Sequence, residues 1–182
     1  IVNMNRGNDG KFYESRNAAI SNLNEPGSTF KTASIMVALE DGVIDVTDGV
    51  DTGNGIMTMH RRPMRDHNWR RGGYQYITLP EIMMYSSNIG VSYLIEKHYG
   101  DNPGKFVDGL RRMSLNEPLN LQIQGEGKPN IRHPKEGRWS KTALPWMSIG
   151  YETQIPPINT LTFYNAIANN GKMVKPKFVK AV

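Results

Sequence analysis

Ser28 and Lys31 are the residues of this chain whose types and spacing best suit acyl chemistry. They stand in Glu25-Pro26-Gly27-Ser28-Thr29-Phe30-Lys31, directly ahead of the apolar run Ala33–Leu39. Helical residues three apart share a face, with Cβ atoms about 5–6 Å apart, so the amine can reach the hydroxyl. An amine that is neutral part of the time can take the serine proton as the oxygen attacks a carbonyl. A serine in the first turn of a helix also meets free backbone N–H groups and the positive end of the dipole. The bland alternative is a helix-capping serine with a solvated lysine one turn later. Two observations oppose it. This is the only Ser-x-x-Lys in the chain, and the run behind it is too apolar for a surface helix.

A serine nucleophile with a lysine base needs a second polar pair to relay the proton and hold a substrate amide. Ser86-Ser87-Asn88 suits that need. Ser-x-Asn also occurs at Ser15-Arg16-Asn17 and Ser114-Leu115-Asn116. Only the copy at Ser86 is expected between two helices, where a loop backed by rigid elements aims its side chains outward. Its own bland reading is a helix cap.

The elements that position these residues are read from breakers and periodicity. Pro26-Gly27 ends what precedes it, and the buried helix that follows stops at Asp41-Gly42. Val43–Val46 reads as a short strand, and residues 48–73 as small strands and loops. Thr78-Leu79-Pro80-Glu81 is a capping box that opens a helix through Tyr85. A second helix runs from about Ile89 to Tyr99 and stops at Gly100. Asn102-Pro103 starts another, with Phe106, Val107, Leu110 and Met113 inward. Residues 117–139 form a polar excursion. The last helix spans Pro157–Ala168 with Leu161, Tyr164, Ala166 and Ile167 as its apolar residues, and Val174 with Phe178-Val179 reads as a closing strand.

A chain of 182 residues can bury one sizeable core. Hydrophobic content of 38% and charged content of 21% are those of a globular protein. The net charge of +5 is spread over several segments and does not point to nucleic acid. The basic run His60–Arg71, with Trp69 as a stacking platform, is the one place where a nucleic-acid reading applies; a solvated loop is the alternative. There is no cysteine, so disulfides and thiolate metal sites are excluded. His60, His67, His98 and His133 show no ligand spacing, and neither metal nor cofactor is expected. No stretch approaches the ~20 apolar residues of a membrane span.

In family order, the motifs Glu25-Pro26-Gly27-Ser28-Thr29-Phe30-Lys31, Leu39-Glu40-Asp41-Gly42, Ser86-Ser87-Asn88, Met147-Ser148-Ile149-Gly150-Tyr151 and Tyr164–Gly171 resemble the transpeptidase domain of class B penicillin-binding proteins. The resemblance implies an α+β fold of the penicillin-binding-protein and serine β-lactamase type. It implies Ser28 as the acylated nucleophile, attacking the penultimate D-Ala carbonyl of a peptidoglycan stem peptide, and Lys31 as general base. Ser86 would relay the proton to the leaving amine, Asn88 would bond Lys31 and the substrate amide, and Thr29 and Ser87 would help bind substrate. The Ser28 N–H would form half of the oxyanion hole. β-Lactam antibiotics would acylate Ser28, and other cell-wall synthesis proteins would be partners.

The family's third motif, Lys-Thr-Gly, is not found: Lys31-Thr32 and Lys141-Thr142 are each followed by alanine. The expectation is therefore a partial domain over 1–182, mostly the helical half of the fold with the sheet incomplete, inactive by itself although its parent is active. The parent would work on the outer face of the bacterial cytoplasmic membrane, anchored by a helix outside this chain. Three other readings compete. A non-catalytic relative would use the fold to bind peptidoglycan or β-lactam as a sensor or scaffold. A serine β-lactamase would need a base for hydrolytic water, which no motif supplies. A nucleic-acid module would show steeply salt-dependent DNA binding.

Overall fold

The computed structural model describes residues 3–180, so the apolar start Ile1-Val2 lies outside the described residues. In chain order the elements are β1 (Met4–Arg6), β2 (Phe12–Glu14), α1 (Ala18–Ser21), α2 (Lys31–Glu40), β3 (Gly49–Asp51), β4 (Ile56–Met59), β5 (Arg62–Arg65) and β6 (Tyr76–Thr78). Then follow α3 (Leu79–Met84), α4 (Asn88–Tyr99), α5 (Pro103–Arg112), β7 (Asn130–Ile131), α6 (Ala143–Met147), β8 (Thr153–Gln154) and α7 (Pro157–Ala168). The fold is α+β. Among the described residues the strands pair only as four two-stranded antiparallel ladders, β1–β2, β3–β6, β4–β5 and β7–β8, and no larger sheet forms.

The chain divides into two compact units, the larger comprising residues 27–112 and 132–152. Its core is helical, with α4 packing on α2, α5 and α6. Phe30, Ala33, Val37 and Ala38 are buried on the α2 side, and Ile89, Val91, Ile95, Phe106, Val107 and Leu110 on α4 and α5, the helices on which α2 packs. Burial of side chains of this size stabilises by roughly 1.5–3 kcal/mol each, and this packing holds α2 and α4 rigid. Helix α2 is not apolar all round as expected: Met36 and Leu39 are exposed.

The capping box at Thr78 forms as read, with the Glu81 carboxylate accepting from both Thr78 N and Thr78 Oγ1 at 2.8 Å. Val43–Val46 is not a strand. The Asp45 carboxylate accepts from Thr47 N and Oγ1, and Asp48 accepts from Asp45 N, so aspartate side chains fold the segment into a turn. Helix α6 was not expected, because Pro145 in its interior masks it.

The smaller unit comprises residues 1–26, 113–131 and 153–182. It contains the β1–β2 hairpin, the β7–β8 pair, and α7 packed on α1. Helix α7 spans the residues expected but buries Ile158, Asn159, Thr162, Phe163 and Ala166, leaving Leu161, Tyr164 and Ile167 exposed. Met113 lies beyond the end of α5 and is half-buried. The closing strand at Val174 and Phe178-Val179 is absent among the described residues. All three side chains are exposed, and a single extended segment without a neighbour to satisfy its N–H and C=O groups does not count as a strand.

Candidate active site

Ser28 lies in a 3-10 turn, Gly27–Phe30, that runs straight into α2, so Lys31 is the first residue of the α-helix. In a 3-10 turn side chains three apart eclipse one another, which sets Ser28 and Lys31 on one side. Ser28 and Thr29 are exposed, whereas Lys31 is 2% exposed. A turn more than a hundred residues later clamps this start. Gly27 N donates to Gly150 O at 3.1 Å, and Ser34 Oγ in the next turn of α2 donates to Ser148 O at 2.7 Å. Gly150 has φ +85°, and a Cβ there would lie 2.1 Å from Gly27 O, so only glycine fits.

The Ser86–Asn88 segment joins α3 to α4 and faces Lys31. Ser86 adopts φ +54°, an uncommon backbone state for a non-glycine residue. Lys31 Nζ donates to Ser86 O at 2.6 Å and to Ser86 Oγ at 3.0 Å. Both acceptors are neutral. Burial lowers the Lys31 pKa, and the negative Asp66 nearby raises it, leaving it at about 8 against an ordinary 10.5. An amine of that pKa is partly deprotonated at neutral pH, as a general base needs.

Asp66 is the residue that sequence reasoning missed. It follows β5 and is 1% exposed. Its carboxylate accepts from Ser87 Oγ at 2.8 Å, Asn88 N at 2.6 Å and Ile89 N at 3.1 Å. Three donors at the positive end of α4 stabilise a buried carboxylate without a cation. The β4–β5 hairpin thus fixes the loop that bears Ser86. Nothing local marks Asp66, an acid inside a basic run and 21 residues from Ser87.

The expected site residues fall into two groups. Lys31 and Ser86 are in direct contact, and Ser28 is exposed one turn ahead of Lys31. Ser87 is fully buried: its hydroxyl donates to Asp66 and accepts from Gly90 N, so it caps α4. Asn88 Nδ2 donates to Arg65 O at 2.8 Å, turning that group to the hairpin rather than to Lys31. Among the described residues no group of three metal-ligating side chains forms.

The family model for the penicillin-binding protein transpeptidase domain matches residues 2–182. This chain belongs to that family. Transpeptidase-domain relatives include the probable peptidoglycan D,D-transpeptidase PbpC of Pseudomonas aeruginosa, 30% identical over 159 residues, which cover 87% of this chain and 26% of that protein. The peptidoglycan D,D-transpeptidase FtsI of Escherichia coli is 29% identical over 162 residues, 86% of this chain and 25% of the relative. The transpeptidase domain of Burkholderia pseudomallei penicillin-binding protein 3 superposes with a TM-score of 0.79 at 23% identity, over 92% of this chain and 48% of that one. The chain therefore spans about a quarter of the length of the curated relatives it matches. No described helix is long and apolar enough to cross a membrane.

Proposed function

We propose that these residues are part of one transpeptidase domain in a longer peptidoglycan D,D-transpeptidase. The observation that carries this reading is the buried Lys31 amine, held on Ser86 with a pKa near 8 beside an exposed serine. Ser28 Oγ attacks the penultimate D-Ala carbonyl of a stem peptide while Lys31 takes its proton. The carbonyl oxygen becomes an oxyanion, stabilised in part by the Ser28 N–H, a type of donor whose loss costs about 3–4 kcal/mol. The amide bond to the terminal D-Ala then breaks, and the Ser86 hydroxyl passes a proton to the departing amine, replenished from Lys31. An amine of a second stem takes the acyl group by the reverse sequence, forming the crosslink and freeing Ser28.

In this scheme Asn88 and Thr29 line the substrate channel, and Ser87 acts through Asp66 by fixing the loop. β-Lactams acylate Ser28 as mimics of the stem terminus. The protein works on the extracytoplasmic face of the bacterial membrane, beside other cell-wall synthesis proteins. The test is incubation of the full-length parent with a fluorescent penicillin, followed by peptide mapping. A stable adduct on Ser28 with stem-peptide crosslinking supports the proposal. An adduct without crosslinking makes the parent a β-lactam-binding relative, and no adduct rejects acyl chemistry altogether.

A further inference from the structure

Each helix that carries a candidate site residue also carries a buried serine one turn deeper on the same face. On α2 the pair is Lys31 and Ser34, and on α4 it is Asn88 and Ser92. Ser34, Ser92 and Ser148 are each 0% exposed, and all three meet at the end of α6. Ser92 Oγ donates to Pro145 O at 3.0 Å, and Ser148 Oγ donates to the same carbonyl at 2.8 Å. Carbonyls in the last turn of a helix lack helical N–H partners, and the two hydroxyls satisfy that of Pro145. Ser148 O in turn accepts from Ser34 Oγ at 2.7 Å. Two residues on, Gly150 O accepts from Gly27 N, the neighbour of Ser28. A buried connection therefore runs from α4 through Ser92, Pro145 and Ser148 to the turn that bears the nucleophile.

We propose that Ser92 and Ser148 are positioning residues for acyl transfer: their hydroxyls, joined on the Pro145 carbonyl, set the spacing between Ser28 and the Ser86–Asn88 loop. The role rests on the transpeptidase reading above. Both serines are fully buried, so neither touches substrate. Lys31 already links α2 to that loop through Ser86, but a flexible four-carbon stem does not fix a distance. Buried hydroxyls do, because each bond is short and directional and no water competes for it. Asp66 ties the loop to α4, and Ser92 ties α4 to the turn that clamps Ser28. The loop and the nucleophile are thereby placed in one frame. Reaction requires atoms about 3–3.5 Å apart, and an error of about 1 Å introduced by a remote residue can cost about a hundredfold.

The test is stopped-flow acylation of the full-length parent by a chromogenic β-lactam, which separates the apparent Kd from the rate constant at saturation. Ser92→Ala should lower that rate constant about tenfold or more and leave the apparent Kd within about twofold. The pH midpoint near 8 should stay in place, because Lys31 keeps its contacts with Ser86. Ser92→Thr, which keeps the hydroxyl, should recover most of the rate. Asp41→Asn weakens an ion-pair cluster at the opposite end of α2 and should cost stability without slowing acylation, so weaker folding by itself does not mimic the effect. Ser148→Ala removes the second donor to Pro145 and should also slow acylation, which covers a Ser92→Ala variant that fails to fold. A further readout needs no chemistry: amide hydrogen exchange over residues 27–34, followed by mass spectrometry, should quicken in Ser92→Ala and not in Asp41→Asn. The proposal is overturned by an unchanged rate constant in a folded Ser92→Ala or Ser148→Ala parent, by a loss confined to the apparent Kd, by an equal loss in Asp41→Asn, or by unchanged exchange over residues 27–34. A parent that is never acylated, yet exchanges faster there in Ser92→Ala, defeats the transpeptidase reading alone, since the hydroxyls still position the turn.

Discussion

Helices α2 and α4 carry an ionisable group at each end, and the two ends treat charge in opposite ways. At their N-terminal ends the Lys31 amine meets only a carbonyl and a hydroxyl, while the nearby Asp66 is occupied by one hydroxyl and two backbone N–H groups. At their C-terminal ends the Asp41 carboxylate receives Tyr99 Oη at 2.9 Å, Arg112 at 3.1 Å and Lys105 at 3.3 Å. Burial works to raise the Asp41 carboxyl, and these three partners outweigh it, leaving its pKa below the ordinary 3.8. One end denies a charge its counter-ion and so keeps it titratable near neutrality. The other neutralises a charge and gains rigidity. A direct Lys31–Asp66 ion pair would hold Lys31 protonated and remove the base.

The largest effect should come from Ser28→Ala in the parent, which should abolish penicillin labelling, as read by gel fluorescence. Lys31→Met should slow acylation by on the order of 10²–10⁴-fold in stopped-flow measurements. The wild-type acylation rate should climb with pH through about 8 and the variant's should not. The same variant sharpens the comparison through stability. A folded pKa below 10.5 means that the unfolded chain binds more protons between pH 8 and 10.5, so wild-type stability should rise across that window and the variant's should not.

Asp66→Asn removes the charge that raises the Lys31 pKa, so the acylation midpoint should move to lower pH while the loop is kept. A midpoint that stays in place would break the electrostatic half of the comparison. At the opposite end, Asp41→Asn should leave acylation unchanged and lower stability by about 1 kcal/mol in urea titration. Its folded pKa is depressed, so that contribution is present above the ordinary carboxylate range and lost as pH falls below 3.8. The two melting curves should therefore converge in acid. Smallest is Tyr99→Phe, which removes one of the three partners and should cost about 0.5 kcal/mol.

What was legible in the sequence is what short-range physics decides. The Thr78–Glu81 capping box, Pro157 at the head of α7 and Gly100 at the tail of α4 each work within one or two turns of backbone. Lys31 and Ser86 were found because Ser-x-x-Lys ahead of an apolar run and Ser-x-Asn between two helices carry a chemical reading, although their contact spans 55 positions. The strands at Val43–Val46 and Val174–Val179 were misread because an apolar run cannot declare whether a neighbour will pair with it. Asp66 was invisible for the same reason: its meaning lies in three donors on another element. The outward faces of α2 and α7 were misjudged because apolar content by itself does not say which side is covered.

Gly150 sets the order in which the nucleophile can be built. Its carbonyl holds Gly27, and its neighbour Ser148 holds Ser34, yet both are translated more than a hundred residues after Lys31. A nascent chain therefore carries Ser28 on an unclamped turn until the segment Met147–Gly150 has left the ribosome. Reactive geometry around Ser28 is completed only after α2 and α4 have already emerged.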